Sequence, residues 1–136
     1  MEDKIQKEIS KLVDSQILGF YIDSDIMTLR MDFGFSPDEK ITSIELSHIY
    51  HLLISKFPGA GPDYAGEERS FIALEIYLHY LDVEKRREVL SSLAYMHYDG
   101  NGNVAIFPDS DMYHLHVAGD ICIDVVCGEV KVLKEI

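Results

Sequence analysis

His114 and His116 stand two apart in MYHLHVAG, and Asp124 follows in ICIDVV. Positions two apart on a strand share a face, so two imidazoles and a carboxylate gathered there are the ligand types of a zinc or similar site. An antiparallel meander would gather them. A three-residue turn over Ala118–Asp120 faces His114 with Asp124 and His116 with Cys122. A two-residue turn at Cys127-Gly128 then sets Lys131 beside Asp124, where a lysine pairs with the carboxylate and repels a cation. The expectation is therefore a solvated polar face, with His114, His116 and Asp124 as weak metal candidates and no cofactor.

The remaining candidates for chemistry fail on spacing. Asp99, Asn101 and Asn103 alternate as at the start of a calcium loop, but the sixth position is Val104 where glycine is required and the twelfth is Ser110 where a glutamate is required. Asn101-Gly102 is instead a hairpin signal, because both residues tolerate positive backbone angles. Glu45, His48 and His51 recur every three residues, whereas a metalloprotease helix needs two histidines four apart with a glutamate after the first. Gly59-Ala60-Gly61 has no lysine after it to cradle phosphate, and serine-elbow, Walker and dinucleotide patterns are absent. No catalytic residue is assigned.

The elements that would position these groups can be read from periodicity. Ile5, Ile9, Leu12, Val13 and Ile17 predict an amphipathic helix over 3–18. LGFYIDSDIMTLRM then alternates, predicting a hairpin over about 17–33 whose Ser24-Asp25 turn pairs Ile22 with Met27, Phe20 with Leu29 and Leu18 with Met31. Thr42 to Glu45 has the form of a capping box and opens a predicted helix over about 43–57. PGAGPDYAG, 58–66, is a loop. EERSFIALEIYLHYL is apolar almost all round and predicts a buried central helix, and Asp82 caps a short one over 83–94 facing inward through Val83, Val89, Leu90 and Leu93. Strands and turns follow from Tyr95, ending in a meander that faces Leu115 with Ile123, Tyr113 with Val125, and Val125 with Val130. The fold class is α+β: one domain over 1–136, an N-terminal helix and hairpin, then central helices packed on an antiparallel sheet ending in a C-terminal meander.

Composition bounds the function. A chain of 136 residues, 47% hydrophobic, buries enough surface for its own core. No apolar run is long enough to cross a membrane and the start is charged and amphipathic, so a cytoplasmic protein is expected. Cys122 and Cys127, on one strand at an odd offset, would lie on opposite faces about 17 Å apart, beyond disulfide reach. Asp and Glu number 24 against 12 Lys and Arg, a net charge of −12 that repels phosphate backbones, so no nucleic acid is expected as a partner. Such a field favours fast, salt-dependent encounter with a basic protein.

Acidic turn residues recur at the ends of the predicted strands, at Asp23, Asp25, Asp99, Asp109, Asp111 and Asp120, with Tyr98 and Tyr113 close by. Carboxylates steer a basic partner and tyrosines anchor it, so these eight residues form the expected partner-binding set. In size, acidity and lack of catalytic motifs the chain is similar to the immunity proteins bacteria make against toxins, many of them nucleases with basic clefts. That likeness carries over no residue. It implies a non-enzymatic inhibitor that occludes a toxin's active site. The alternatives are a metal-dependent enzyme using His114, His116 and Asp124, and a phage-type inhibitor that imitates nucleic acid.

Overall fold

The computed structural model describes residues 2–35, 40–56, 71–92 and 111–134. The element order is α1 (Glu2–Ser10), β1 (Ser15–Asp23), β2 (Thr28–Gly34), β3 (Thr42–Lys56), β4 (Phe71–Tyr80), α2 (Val83–Ser92), β5 (Tyr113–Gly119) and β6 (Ile121–Lys134). The six strands close into an antiparallel barrel in the order β1-β2-β3-β6-β5-β4. Leu29, Met31, Phe33, Ile44, Leu46, Leu115, Val117, Ile123 and Val125 fill it, each fully buried. Among the described residues no helix is long and apolar enough to cross a membrane.

Two predicted helices are strands. The first lies in β3, Thr42–Lys56, and the apolar run of the second forms β4, Phe71–Tyr80. The cause is a pattern of phase slips. The core side chains of β3 are Ile44, Leu46, Ile49 and Leu52, because His48 takes a left-handed backbone (φ 55°) and the ladder shifts again between Ile49 and His51. Steps of two, three and three along the strand imitate the helical 3.6. β4 does the same. A bulge between Ala73 and Glu75 spaces its core residues as Ala73, Ile76 and Leu78.

The predicted turn at Cys127-Gly128 is likewise absent, since β6 runs unbroken through it. Its core residues pass from Ile123, Val125 and Cys127 to Val130 and Val132, so the inward phase slips by one residue at Gly128. A Cβ on Gly128 would stand 3.1 Å from the Cβ of His48, so glycine is what lets the left-handed residue of β3 pack across this point. One slip, shared by two paired strands, had the form of a turn in one and of a helix in the other.

Both hairpins form with shifted registers. Phe20 faces Met31 and Ile22 faces Leu29, with a ladder shift between Ile17 and Gly19 that leaves Leu18 exposed. In the C-terminal pair Val117 faces Ile123, Leu115 faces Val125 and His116, not His114, faces Asp124. Each shift is by two residues; the C-terminal pair keeps its inward face, while in the first hairpin Phe20, Leu29 and Met31 keep theirs and Leu18, Ile22 and Met27 are exposed. Lys131 lies opposite Glu45 of β3, well away from Asp124, so the ion pair expected there does not form.

The helices are peripheral, not central. α1 ends at Ser10, short of the predicted 18, yet Ile9 and, just beyond it, Leu12 are buried in the barrel core, with Ile5 packed against it. Gln6 Oε1 accepts from the backbone N–H of Leu78 at 3.1 Å, and Glu8 pairs with Lys134, tying α1 to β4 and β6. α2 starts where expected, with Asp82 Oδ1 accepting from Lys85 N at 2.9 Å. Val89 packs on a small outer cluster of Leu81, Met112 and Val126, whereas Val83 is exposed and Leu93 lies outside the described residues.

Candidate functional site

Antiparallel strands send their connections alternately to the two barrel ends. The β1–β2 and β5–β6 turns lie at one, the hairpin end; α1, the start of β5 and the last residues of β6 lie at the other, the helix end. Asp23, Asp25 and Asp120 therefore fall at the hairpin end, and Asp111 and Tyr113 at the helix end. Asp99, Asp109 and Tyr98 lie outside the described residues, as do the loop 58–66 and the Asn101-Gly102 turn.

Three of these aspartates, Asp23, Asp111 and Asp120, brace the fold through their carboxylates. Asp23 Oδ1 accepts from Asp25 N at 3.0 Å and fixes the β1–β2 connection, whose last residue Met27 has φ 50°. Asp120 Oδ2 accepts from Ile72 N at 3.0 Å, bracing β4 against the β5–β6 turn. Asp111 Oδ1 accepts from the Tyr80 hydroxyl at 3.1 Å, which raises the tyrosine pKa, and Tyr80 packs edge-on against Tyr113.

The hairpin end also exposes Ile22 and Met27, which the alternation pattern assigned to the interior, together with Tyr21 and Ile26; they are 53%, 47%, 56% and 66% exposed and flank Asp23 and Asp25 in the chain. They project because β1 and β2 run on past the part of β1 that pairs with β4, which is confined to Ser15–Ile17. The signal was present in the sequence as an aspartate pair set within apolar residues. The tip is thus an exposed apolar patch beside two carboxylates.

The histidines occupy the outer wall, and more of them than expected. Register lines up His51 of β3, Val126 of β6, His114 of β5 and His79 of β4 in one row, and Leu53, Asp124, His116 and Tyr77 in the next. Asp124 Oδ1 is shared by His114 Nε2 and, at 3.4 Å, His116 Nδ1. Partial burial pushes the Asp124 pKa up, but the hydrogen bonds and charges of His114 and then His116 outweigh it, so the carboxyl titrates lower than usual. His51 is buried, and desolvation depresses its pKa despite the nearby Asp124 charge.

Among the described residues no three His, Cys, Asp or Glu side chains are arranged to hold a metal ion. The chemistry this wall supports is that of a carboxylate orienting two imidazoles. Cys127 is buried and its thiol is pushed up to about 12, while Cys122 is partly exposed; both are free. His51 and His79 escaped notice as members of this wall because both fell within predicted helices.

The described grooves lie elsewhere. One of about 820 Å³ runs between α1 and the last residues of β6, and one of about 310 Å³ is bounded by Arg30, Ile41, Ser43, Leu133 and Lys134. No known family model matches the chain, and no curated protein is similar to it.

Proposed function

We propose that the protein is a small cytoplasmic binding protein that masks a basic partner, acting as an immunity protein against a nuclease-type toxin by occluding its active site. The observation that carries this reading is the hairpin tip, where exposed Tyr21, Ile22, Ile26 and Met27 flank Asp23 and Asp25 in the chain. The division of labour follows from physics. A net charge of −12 accelerates encounter with a cationic cleft, and apolar anchors slow dissociation once water is excluded. A nuclease cleft is basic because its substrate is polyanionic, so an acidic tip and the substrate compete for one surface.

The test is association kinetics with a basic nuclease-type toxin domain, at several salt concentrations. Exchanging Asp23 and Asp25 for lysine is expected to slow association about tenfold at low salt and to flatten its salt dependence. Ile26→Ser is expected to speed dissociation and leave association nearly unchanged. Unchanged rates in both variants would remove the tip from the interface, and failure of the wild-type chain to bind or inhibit would remove the reading itself.

A further inference from the structure

The outer wall of β2 and β3 holds one guanidinium in place and leaves its terminal nitrogens unused. Arg30 Nε donates to Asp32 Oδ1 at 3.0 Å, and the guanidinium carbon lies 5.8 Å from the centre of the Tyr21 ring. Asp32 is fixed in turn, because it is buried and the buried Ser43 hydroxyl donates to the same oxygen at 2.6 Å. Among the described residues neither Nη of Arg30 has an acceptor. An arginine serving only as an ion pair presents two parallel N–H groups to its carboxylate. Here one Nε bond orients the group and leaves both Nη nitrogens to donate elsewhere. Arg30 borders the groove of about 310 Å³, whose other walls are Ile41, Ser43, Leu133 and Lys134.

We propose that this groove binds a small monocarboxylate with an apolar chain, the carboxylate held by the Arg30 Nη pair and the chain laid against Ile41 and Leu133. The guanidinium is oriented before a ligand arrives, so binding costs little ordering entropy at the arginine. Leu133 is 45% exposed, and covering it removes apolar surface from water. Charge sets the ligand class. Lys134 pairs with Glu8, and Glu45 stands between Arg30 and Lys131 across the ladder, so the cations around the groove already have carboxylates beside them. The groove therefore offers hydrogen-bond donors without excess positive charge, and a chain of net charge −12 repels a dianion more than a monoanion. Its volume is at the low end for ligand sites, which favours a short chain. The proposal needs no partner at the hairpin tip.

NMR titration of the full-length chain with sodium hexanoate near neutral pH and at constant ionic strength tests it. Saturable shifts are expected at the Arg30 guanidinium and at the amides of Ser43 and Leu133, with affinity in the millimolar range, roughly what so small a ligand can reach. Acetate, which lacks the chain, is expected to bind at least about tenfold more weakly, and hexanol and inorganic phosphate not to saturate the site. Arg30→Lys keeps the charge and loses the paired donors, and is expected to weaken hexanoate about tenfold. Leu133→Ser alters only the apolar wall, leaves Asp32 and Ser43 in place, and is expected to weaken it about threefold, with circular dichroism to verify folding. Absence of saturable shifts at the groove, hexanol or phosphate matching hexanoate, or unchanged affinity in either folded variant would each overturn the proposal.

Discussion

The two ends of the barrel are built on opposite principles. At the helix end the core is sealed: Ile9 and Leu12 are buried, Ile5 packs beside them, and Gln6 and Glu8 fasten α1 to the walls. At the hairpin end Ile22, Ile26 and Met27, of similar apolar character, face water beside two aspartates. The apolar side chains at the helix end contribute burial to the fold, whereas those at the hairpin end contribute little and leave an apolar patch beside two carboxylates.

The sharpest way to break this contrast is to truncate one apolar side chain at each end. Ile9→Ala is expected to destabilise the fold by about 2–5 kcal/mol, through lost burial and the cavity left in a site that cannot fully collapse. Ile26→Ser should stay within about 0.5 kcal/mol of the wild type, because its side chain is mostly hydrated already. Urea unfolding of the two variants decides it. Equal losses would mean that the tip supports the fold after all.

A smaller effect is expected on the wall near the sealed end. Asp32 is buried, and its Oδ1 accepts from Ser43 Oγ at 2.6 Å and from Arg30 Nε at 3.0 Å. Ser43→Ala removes the buried donor and should cost about 1–3 kcal/mol, measured in the same unfolding assay. The tip has no buried polar pair of this kind among the described residues, so its polar substitutions should register in binding instead.

The wall between the ends predicts a pH dependence. Burial holds the pKa of His51 below its ordinary 6.5, so below that value the unfolded chain takes up a proton that the folded chain resists. This contribution is complete above about pH 6.5 and is lost as pH falls through the window between the unfolded and folded values. The lowered pKa of Asp124 acts in the same direction at more acid pH, below its ordinary 3.8. Stability curves for the wild type and His51→Gln should converge as pH falls from 7 to 5. Parallel curves would show that His51 is as easily protonated folded as unfolded.

Much of the architecture was legible in the sequence, and what was lost shares one cause. The inward face of the C-terminal pair followed from alternation and survived a register shift of two residues because the side-chain period is also two, whereas in the first hairpin only Phe20, Leu29 and Met31 of the expected face reach the core. β3 and β4 were misread where bulges insert a step of three, as at Ala73 to Ile76 and Leu46 to Ile49. Local periodicity cannot separate a strand with two slips from a helix, since the pairing partner that makes the slip favourable is far away in the chain. The same error hid the outer wall: once β3 was taken for a helix, His51 could not be aligned with Val126 and His114. Gly128 was recognised as special, but its partner His48 was not.

The seam that closes the barrel is its shortest. β1 and β4 meet only at Ser15–Ala73, Gln16–Ile72 and Ile17–Phe71, extended by the Asp14 N–H donating to Ala73 O at 2.7 Å, while β3 and β6 stay paired from Thr42–Lys134 to Lys56–Ile121. The Ser15 hydroxyl, buried at this seam, has no hydrogen-bond partner among the described residues. Closure joins strands distant in sequence through few bonds, so little offsets the loop entropy it costs. It is also where the native barrel should unzip first. Amide protons at Ser15–Ile17 should then exchange with solvent by a local opening that leaves those of the β3–β6 ladder protected.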